Sequence, residues 1–540
     1  MPSFRLAAWV FLTVSSAAFA AAVPPSSGEP LHIRVDRLIA AGADFAKYDA
    51  GPASDAEFVR RVYLDLTGCI PSAADARAFL ADPSPGKRVA LIDRLLHSPD
   101  YARHLAITFD VMLMERIGGR TATAQAEWHE FLRSAFAANQ PWDEVARTIL
   151  SGDDSDPKRM YRAKFYLDRT AEPHVITRDI SRLFLGTNLQ CAQCHDHPRV
   201  EEYKMEHYYG LFAFVNRTSL VTDPRRKMAV LAEKADGEAT FQSVFDPKKV
   251  TKTTLPRVPG GPAISDAPVD KKQPYTVAPA AGVASVPKYS RRARLAAALC
   301  RADYLPFRRN LANRLWAHLM GRGLVEPLDM DHPANPPSHP ELLDLLADDL
   351  AARKFDVRGF LRELALSQTY QRSSVPRDAA AKDAPLYSTA HLKPLTPEQL
   401  AFSLMQATGY TEAQRQALGG QATEAAVYAR LASQVPAFVR TFGSPAGGPQ
   451  AFDARMEQAL FLANGPTVRS WLANRAGGLV GRLAKRSGPA LADELYLSVF
   501  SRLPDDDERR ETAAFLAGRP GAAADLAWAL LASTEFRFNH

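Results

Sequence analysis

Ser54-Asp55-Ala56-Glu57-Phe58-Val59-Arg60-Arg61-Val62-Tyr63-Leu64-Asp65-Leu66-Thr67-Gly68 decides the fold class. Ser54 and Glu57 have capping-box spacing, and Phe58, Val62 and Leu66 recur every fourth residue on one helix face. Gly68 ends the run. The same grammar repeats outward along the chain. Ser72 opens a short helix, Pro83-Ser84-Pro85-Gly86 makes a turn, and Val89, Ile92 and Leu96 line another helical face. Trp128, Phe131, Leu132 and Phe136 continue the pattern, and Asn139 and Pro141 start a helix carrying Trp142, Val145 and Ile149. Val175 to Phe184 is apolar at helical spacing with Gly186 near its end, and Tyr203, His207, Leu211 and Val215 mark a further helix. Residues 28–220 read as one mostly helical domain.

Residues 221–290 differ. Pro and Lys are frequent, and Pro259-Gly260-Gly261-Pro262 breaks any regular element. This reads as a Pro-rich, partly extended connector, with one or two short strands around Phe241 to Phe245. Helical signals resume at Arg291. Leu311, Leu315, Trp316 and Leu319 share a face; Ser338 and Glu341 form a second capping box ahead of Leu342, Leu345, Leu346 and Leu350. Asp356 caps a helix carrying Phe360, Leu361 and Leu364, and Thr396-Pro397-Glu398-Gln399 caps one carrying Leu400, Leu404 and Met405. Helices also account for 453–474, 490–501 and most of 505–537. The expected fold is mainly α: two helical domains, 28–220 and 291–540, joined by the connector. No fixed-period repeat is visible, which disfavours a solenoid.

The chain of 540 residues carries 66 Lys and Arg against 60 Asp and Glu, an excess of +6. The excess is spread along the chain and gives no nucleic-acid footprint. Arg225-Arg226-Lys227 and Arg291-Arg292 read as solvated faces or linker edges. At the N-terminus, Arg5, the apolar run Leu6 to Val14 and Ala18-Phe19-Ala20 compose a secretory signal over residues 1–20. No later run approaches the eighteen apolar residues a membrane span needs, so the mature chain is expected to be secreted or periplasmic with no span. Four Cys in so long an exported chain exclude a disulfide-rich scaffold; Cys69 and Cys300 either pair or are separately small buried residues.

Chemistry is concentrated in Cys191-Ala192-Gln193-Cys194-His195. Two thiols one turn apart can add to the two vinyl groups of a haem, and the adjacent imidazole can ligate its iron. Cys191 and Cys194 would be the anchors and His195 the proximal ligand. His197, Met205, His207 and His174 are candidates for the sixth position, with Met205 and His207 ahead of His197 on reach. Zinc or iron held by Cys191, Cys194, His195 and His197, with Asp196 or a more distant His taking part, is a second reading. A Cys191–Cys194 disulfide is a third. Glu201, Glu202, Lys204 and Glu206 read as a solvated helix face.

Leu64-Asp65-Leu66-Thr67-Gly68 with Pro71 and Phe79-Leu80-Ala81, and Leu95-Leu96-His97-Ser98-Pro99-Asp100-Tyr101, resemble the opening of a secreted domain family abundant in planctomycetes. Phe184-Leu185-Gly186, Leu189 to Pro198 and Tyr208-Tyr209-Gly210-Leu211-Phe212-Ala213-Phe214 resemble its signature. This is the planctomycete cytochrome-like domain of unknown function numbered fifteen forty-nine. Asn313 to Leu319, Gly321 to Pro327, Asn335 to Leu342, Phe442-Gly443, Asn464-Gly465-Pro466, Ser501 to Pro504 and Ser533 to Phe536 resemble its usual companion, number fifteen fifty-three. The resemblance implies a cytochrome-like protein and assigns no activity.

The companion half holds a polar collection of its own: Asn313, Arg314, His318, Arg322, Glu326, Asp329, Asp331, His332 and His339. Arg314, His318 and Arg322 share a helix face. A hydrolytic or metal site could be assembled from these residues, or they fasten a loop through Arg–carboxylate pairs. Neither Gly-x-Ser-x-Gly, His-Glu-x-x-His, a phosphate loop nor a dinucleotide fingerprint occurs. The favoured expectation is an exported c-type haem protein for electron transfer or redox chemistry, acting with an unidentified redox partner. A scaffold with a structural Cys/His metal or disulfide, and a polysaccharide-related hydrolase or accessory protein, are the alternatives.

Overall fold

A computed structural model of the chain describes residues 28–116, 125–152, 157–225, 227–378, 383–443, 455–473, 475, 477–519 and 521–540. The expected leader, residues 1–20, lies outside them. The described chain is mainly α-helical, and its strands pair only as two-stranded antiparallel ribbons. No helix among the described residues is long and apolar enough to cross a membrane.

Helix Asp55–Thr67 starts as expected, with Ser54 Oγ accepting the Glu57 N–H at 3.2 Å, and ends on Gly68 in the left-handed region at φ 71°. That conformation suits glycine, and a Cβ there would sit 2.4 Å from the His104 ring. The capping box is half built. Instead of turning back to Ser54, the Glu57 carboxylate takes Arg61 at 2.5 Å and the Ser374 N–H at 2.6 Å. The helix also lacks the solvated face its pattern implies: Arg60, Arg61 and Asp65 are 0, 3 and 2 % exposed.

Two main hydrophobic cores organise the fold. The first joins helices Leu31–Ala40, Asp55–Thr67, Lys87–Leu96, Pro99–Met114, Gln125–Ala137, Trp142–Ser151 and Pro173–Leu185 to helices Arg291–Leu299, Leu305–Met320, Pro340–Ala352 and Val357–Leu366. The second gathers helices Pro397–Ala407, Glu424–Ala432, Val435–Phe442, Pro489–Phe500 and Ala522–Leu531, with Leu64 and Ile70 inserted from the first half. Packing therefore divides between Tyr387, in the first core, and Leu400, in the second.

Residues 221–290 fold into hairpins docked on the first core. Thr218–Asp223 pairs with Met228–Glu233, Ala239–Phe241 with Lys252–Thr254, and Tyr275–Val277 with Val286–Pro287. Arg291 and Arg292, expected as a solvated edge, are 0 and 8 % exposed. Carboxylates from the hairpin region make that burial tolerable. Asp266 grips Arg291 with two hydrogen bonds of 2.9 Å, and Glu233, itself 1 % exposed, meets Arg292 at 3.2 Å and takes the Arg291 N–H at 2.8 Å.

Further along, the Thr396 capping box forms in full, whereas helix Pro340–Ala352 starts from His339 with no side-chain cap. The expected Ser338–Glu341 box is therefore not made; Ser338 Oγ lies 3.1 Å from His339 Nδ1 instead. Helix Tyr410–Leu418 escaped sequence reading because none of its residues is buried, so no apolar stripe marks it.

Glu233→Ala removes the counter-charge of a buried guanidinium and the carboxylate that accepts the Arg291 and Arg292 N–H groups at a helix N-terminus. It should cost about 3–5 kcal/mol in urea unfolding; a loss below about 1 kcal/mol would show that the Glu233–Arg292 contact holds nothing together.

Candidate functional site

The Cys-x-x-Cys-His segment follows directly from a helix stop. Gly186, at φ 68°, ends helix Pro173–Leu185, and the chain enters a short 3-10 turn, Gln190–Gln193. Ala192 is fully buried in a satellite core with Leu189, Val200, Tyr203 and Tyr208. With Ala192 turned in, Cys191 and Cys194 are both exposed, and neither is bridged. Two bonds fasten the turn to its surroundings: Tyr209 OH donates to the Gln193 carbonyl at 3.0 Å, and the Val244 N–H donates to the Cys194 carbonyl at 3.0 Å. Burial, and after it the neighbouring Cys194 sulfur, push the Tyr209 phenol up.

His195 is half-buried. Its Nδ1 lies 2.7 Å from the Asp196 backbone carbonyl, to which it donates, so Nε2 is the ring nitrogen left outside that bond. The ring stands 4.9 Å from that of Phe245, which is 74 % exposed.

The other predicted ligands are placed unevenly. His197 Nδ1 accepts the N–H groups of Arg199 and Val200 at 3.2 and 3.1 Å, and its ring lies edge-on to Tyr203. Met205 is buried at the start of helix Met205–Val215, its N–H donating to Asp196 Oδ1 at 2.8 Å. His207 Nδ1 is bonded to the Glu202 carbonyl. His174 stacks on Phe212 at 4.5 Å and bonds Tyr208 OH at 2.9 Å, and burial lowers its pKa. Among the described residues, no three His, Cys, Asp or Glu side chains converge as they would on one metal ion. Glu201, Glu202, Lys204 and Glu206 are exposed, but only Glu206 lies in a helix, the other three preceding its start at Met205.

The companion-half collection separates into two roles. Asn313 trades two hydrogen bonds with the backbone of Val325 at 2.9 and 3.1 Å, and Glu326 takes the Gly323 N–H at 3.0 Å. Arg314 donates to Asn310 and to the Arg182 carbonyl, at 2.9 and 3.0 Å. Asp329 lies 3.9 Å from Arg182, and Asp331 lies 3.8 Å from Arg309. These are loop fastenings. His332 packs edge-on against Tyr203, His339 lies against Tyr387, and Arg322 is exposed.

His318 points elsewhere, into a cleft of about 890 Å³ between the two cores, where its ring lies 5.5 Å from that of His104. Its Nε2 donates to the Asp65 carbonyl at 2.9 Å. Beside it, the Asp65 carboxylate receives Lys393 at 2.5 Å, Asn539 at 2.7 Å and Tyr370 OH at 2.9 Å. His104, Lys393 and Asn539 come from separate elements, and of the candidate site residues read from the sequence only His318 lines this cleft.

Burial holds the His104 imidazole well below its ordinary pKa of 6.5, helped by the charges of His318 and Lys393, and burial likewise lowers His318. Below about pH 6.5 the unfolded chain binds protons at these sites that the folded chain does not, so stability declines as pH falls. The urea midpoint should drop between about pH 7.5 and about pH 5.5, with a shallower drop in His104→Phe. Parallel profiles for the two proteins would contradict this.

No curated protein and no solved structure matches the chain. Residues 34–220 match the family model described as PSCyt2, protein of unknown function DUF1549, and residues 291–516 match PSD1, protein of unknown function DUF1553. The chain belongs to these two families in tandem, a DUF1549 domain fused to a DUF1553 domain.

Proposed function

We propose that the protein is exported and carries a c-type haem on Cys191 and Cys194, with His195 as an iron ligand, for electron transfer or redox chemistry. The observation that carries this reading is the pair of unbridged, outward-facing thiols on one short turn, followed by an imidazole whose Nε2 is free. Covalent attachment asks for accessible sulfurs at this spacing, and a histidine bonded through Nδ1 is oriented to ligate through Nε2. The residues present fit the group. A bound haem would supply one-electron chemistry at its iron.

The chain's own residues set the surroundings. Buried Ala192 holds the turn, and Val244 and Phe245, 65 and 74 % exposed, offer apolar surface beside His195. His197 is the least suited distal ligand, since Nδ1 already accepts two backbone N–H groups. Met205 and His207, in the helix tied to the loop through Asp196, remain the candidates. The signal-like residues 1–20 support export, which bacterial haem attachment requires. The zinc or iron reading draws no comparable support, because its Cys and His donors are not gathered around one point among the described residues.

Protein made with the haem-attachment machinery should show a pyridine haemochrome spectrum and keep haem after acid extraction. Cys191→Ser combined with Cys194→Ser should lose the covalent haem yet shift stability by no more than about 0.5 kcal/mol, since both thiols are exposed. His195→Ala should retain the covalent group with an altered Soret band. Colourless wild-type protein from such cells would end the proposal.

A further inference from the structure

We infer that the cleft between the two cores binds a small organic anion, whose carboxylate or phosphate group is held by Arg77 and Arg486. The cleft volume of about 890 Å³ falls among those of ligand pockets and has room for a molecule larger than a bare ion. None of the residues 189–215 lines it, so the inference stands apart from the haem site.

Charge is unevenly shared along the walls. Arg77, Arg482 and Arg486 have a single carboxylate among them: Glu494 meets the three at 2.8, 2.9 and 3.0 Å. Every other basic side chain lining the cleft has a carboxylate of its own, as Arg116 has Glu398 at 2.9 Å and Lys393 has Asp65 at 2.5 Å. Burial opposes ionisation of Glu494, yet hydrogen bonds from Arg77 and Arg482, with the nearby guanidinium charges, hold its carboxyl below the usual range. One negative charge therefore faces three positive ones at neutral pH. The remainder is positive, and it attracts an anion.

The three arginines are not equivalent. Arg482 is committed on every side: Nε donates to Glu494, Nη1 to the Gly477 carbonyl at 2.8 Å and Nη2 to Ser498 Oγ at 3.0 Å. Arg77 and Arg486 meet Glu494 through Nη2 alone, and both at Oε2, which keeps the two guanidiniums side by side. Their Nε and Nη1 groups have no acceptor among the described residues, and the side chains are 44 and 37 % exposed where they line the cleft. A guanidinium presents its donors as a planar fork that matches carboxylate or phosphate oxygens. An oxyanion on these two forks takes up the idle donors and offsets the surplus charge while Glu494 keeps its place. Arg77 belongs to the DUF1549 domain and Arg486 to the DUF1553 domain, so the ligand touches both.

The test is calorimetric titration of the full chain with citrate, glucuronate and glucose 6-phosphate, with glucose as the uncharged control. At least one of the anions should bind saturably, one per chain, and more tightly than glucose; which one binds separates a carboxylate from a phosphate ligand. Raising NaCl from about 50 to about 300 mM should weaken the binding. Arg77→Gln and Arg486→Gln should each weaken it about tenfold while keeping the wild-type thermal midpoint, because both side chains are part-exposed and Arg482 remains on Glu494. The two lie in different domains, so either serves if the other fails to fold. No binding by any of the anions, equal affinity for glucose, indifference to salt, or full affinity in the folded variants would overturn the inference.

Discussion

Three charged side chains on one helix, Arg60, Arg61 and Asp65, are buried, and the arrangement of the whole molecule follows from how they are satisfied. Arg60 donates to the carbonyls of Val499 and Phe536 at 3.2 and 2.9 Å, and Arg61 to those of Tyr370 and Arg372 at 2.7 and 2.6 Å. Asp65 collects Tyr370, Lys393 and Asn539. Burying such groups without partners would cost several kcal/mol each. Apart from Glu57, which meets Arg61 from the same helix, their partners lie hundreds of residues away, so the DUF1549 domain completes its first long helix with backbone and side chains from the other half of the chain. Leu64 and Ile70 reinforce the bond by packing inside the second core.

That dependence explains why the two family domains behave structurally as one object. The first core takes helices from both, and the ribbons of residues 221–290 lock them through Asp266, Glu233 and the paired arginines at the start of helix Arg291–Leu299. The cleft is the other consequence. Where two apolar cores meet across a polar helix, the space between them is lined by ion pairs, with imidazoles among them.

The Cys-x-x-Cys-His turn stands on different terms. It rests on a small satellite core of Leu189, Ala192, Val200, Tyr203 and Tyr208 and presents its sulfurs outward. The turn and its two thiols are thereby kept apart from the features that hold the two halves together.

What the amino-acid order determined by itself is local. Caps at Ser54, Ser72, Asp356 and Thr396, the left-handed glycines at 68 and 186, and apolar spacing within helices depend only on neighbours a few residues apart. The Cys-x-x-Cys-His spacing belongs to the same class, so it was legible at once. Tertiary structure alone decided the rest. It turned Arg60, Arg61, Arg291 and Arg292 inward, because distant carbonyls and carboxylates could accept their hydrogen bonds. It left Ser338 uncapping, divided the Asn313–His339 collection between loop and cleft, and placed His104 beside His318. Each of these outcomes rests on a contact between segments far apart in sequence, and periodicity along a chain carries no record of such contacts.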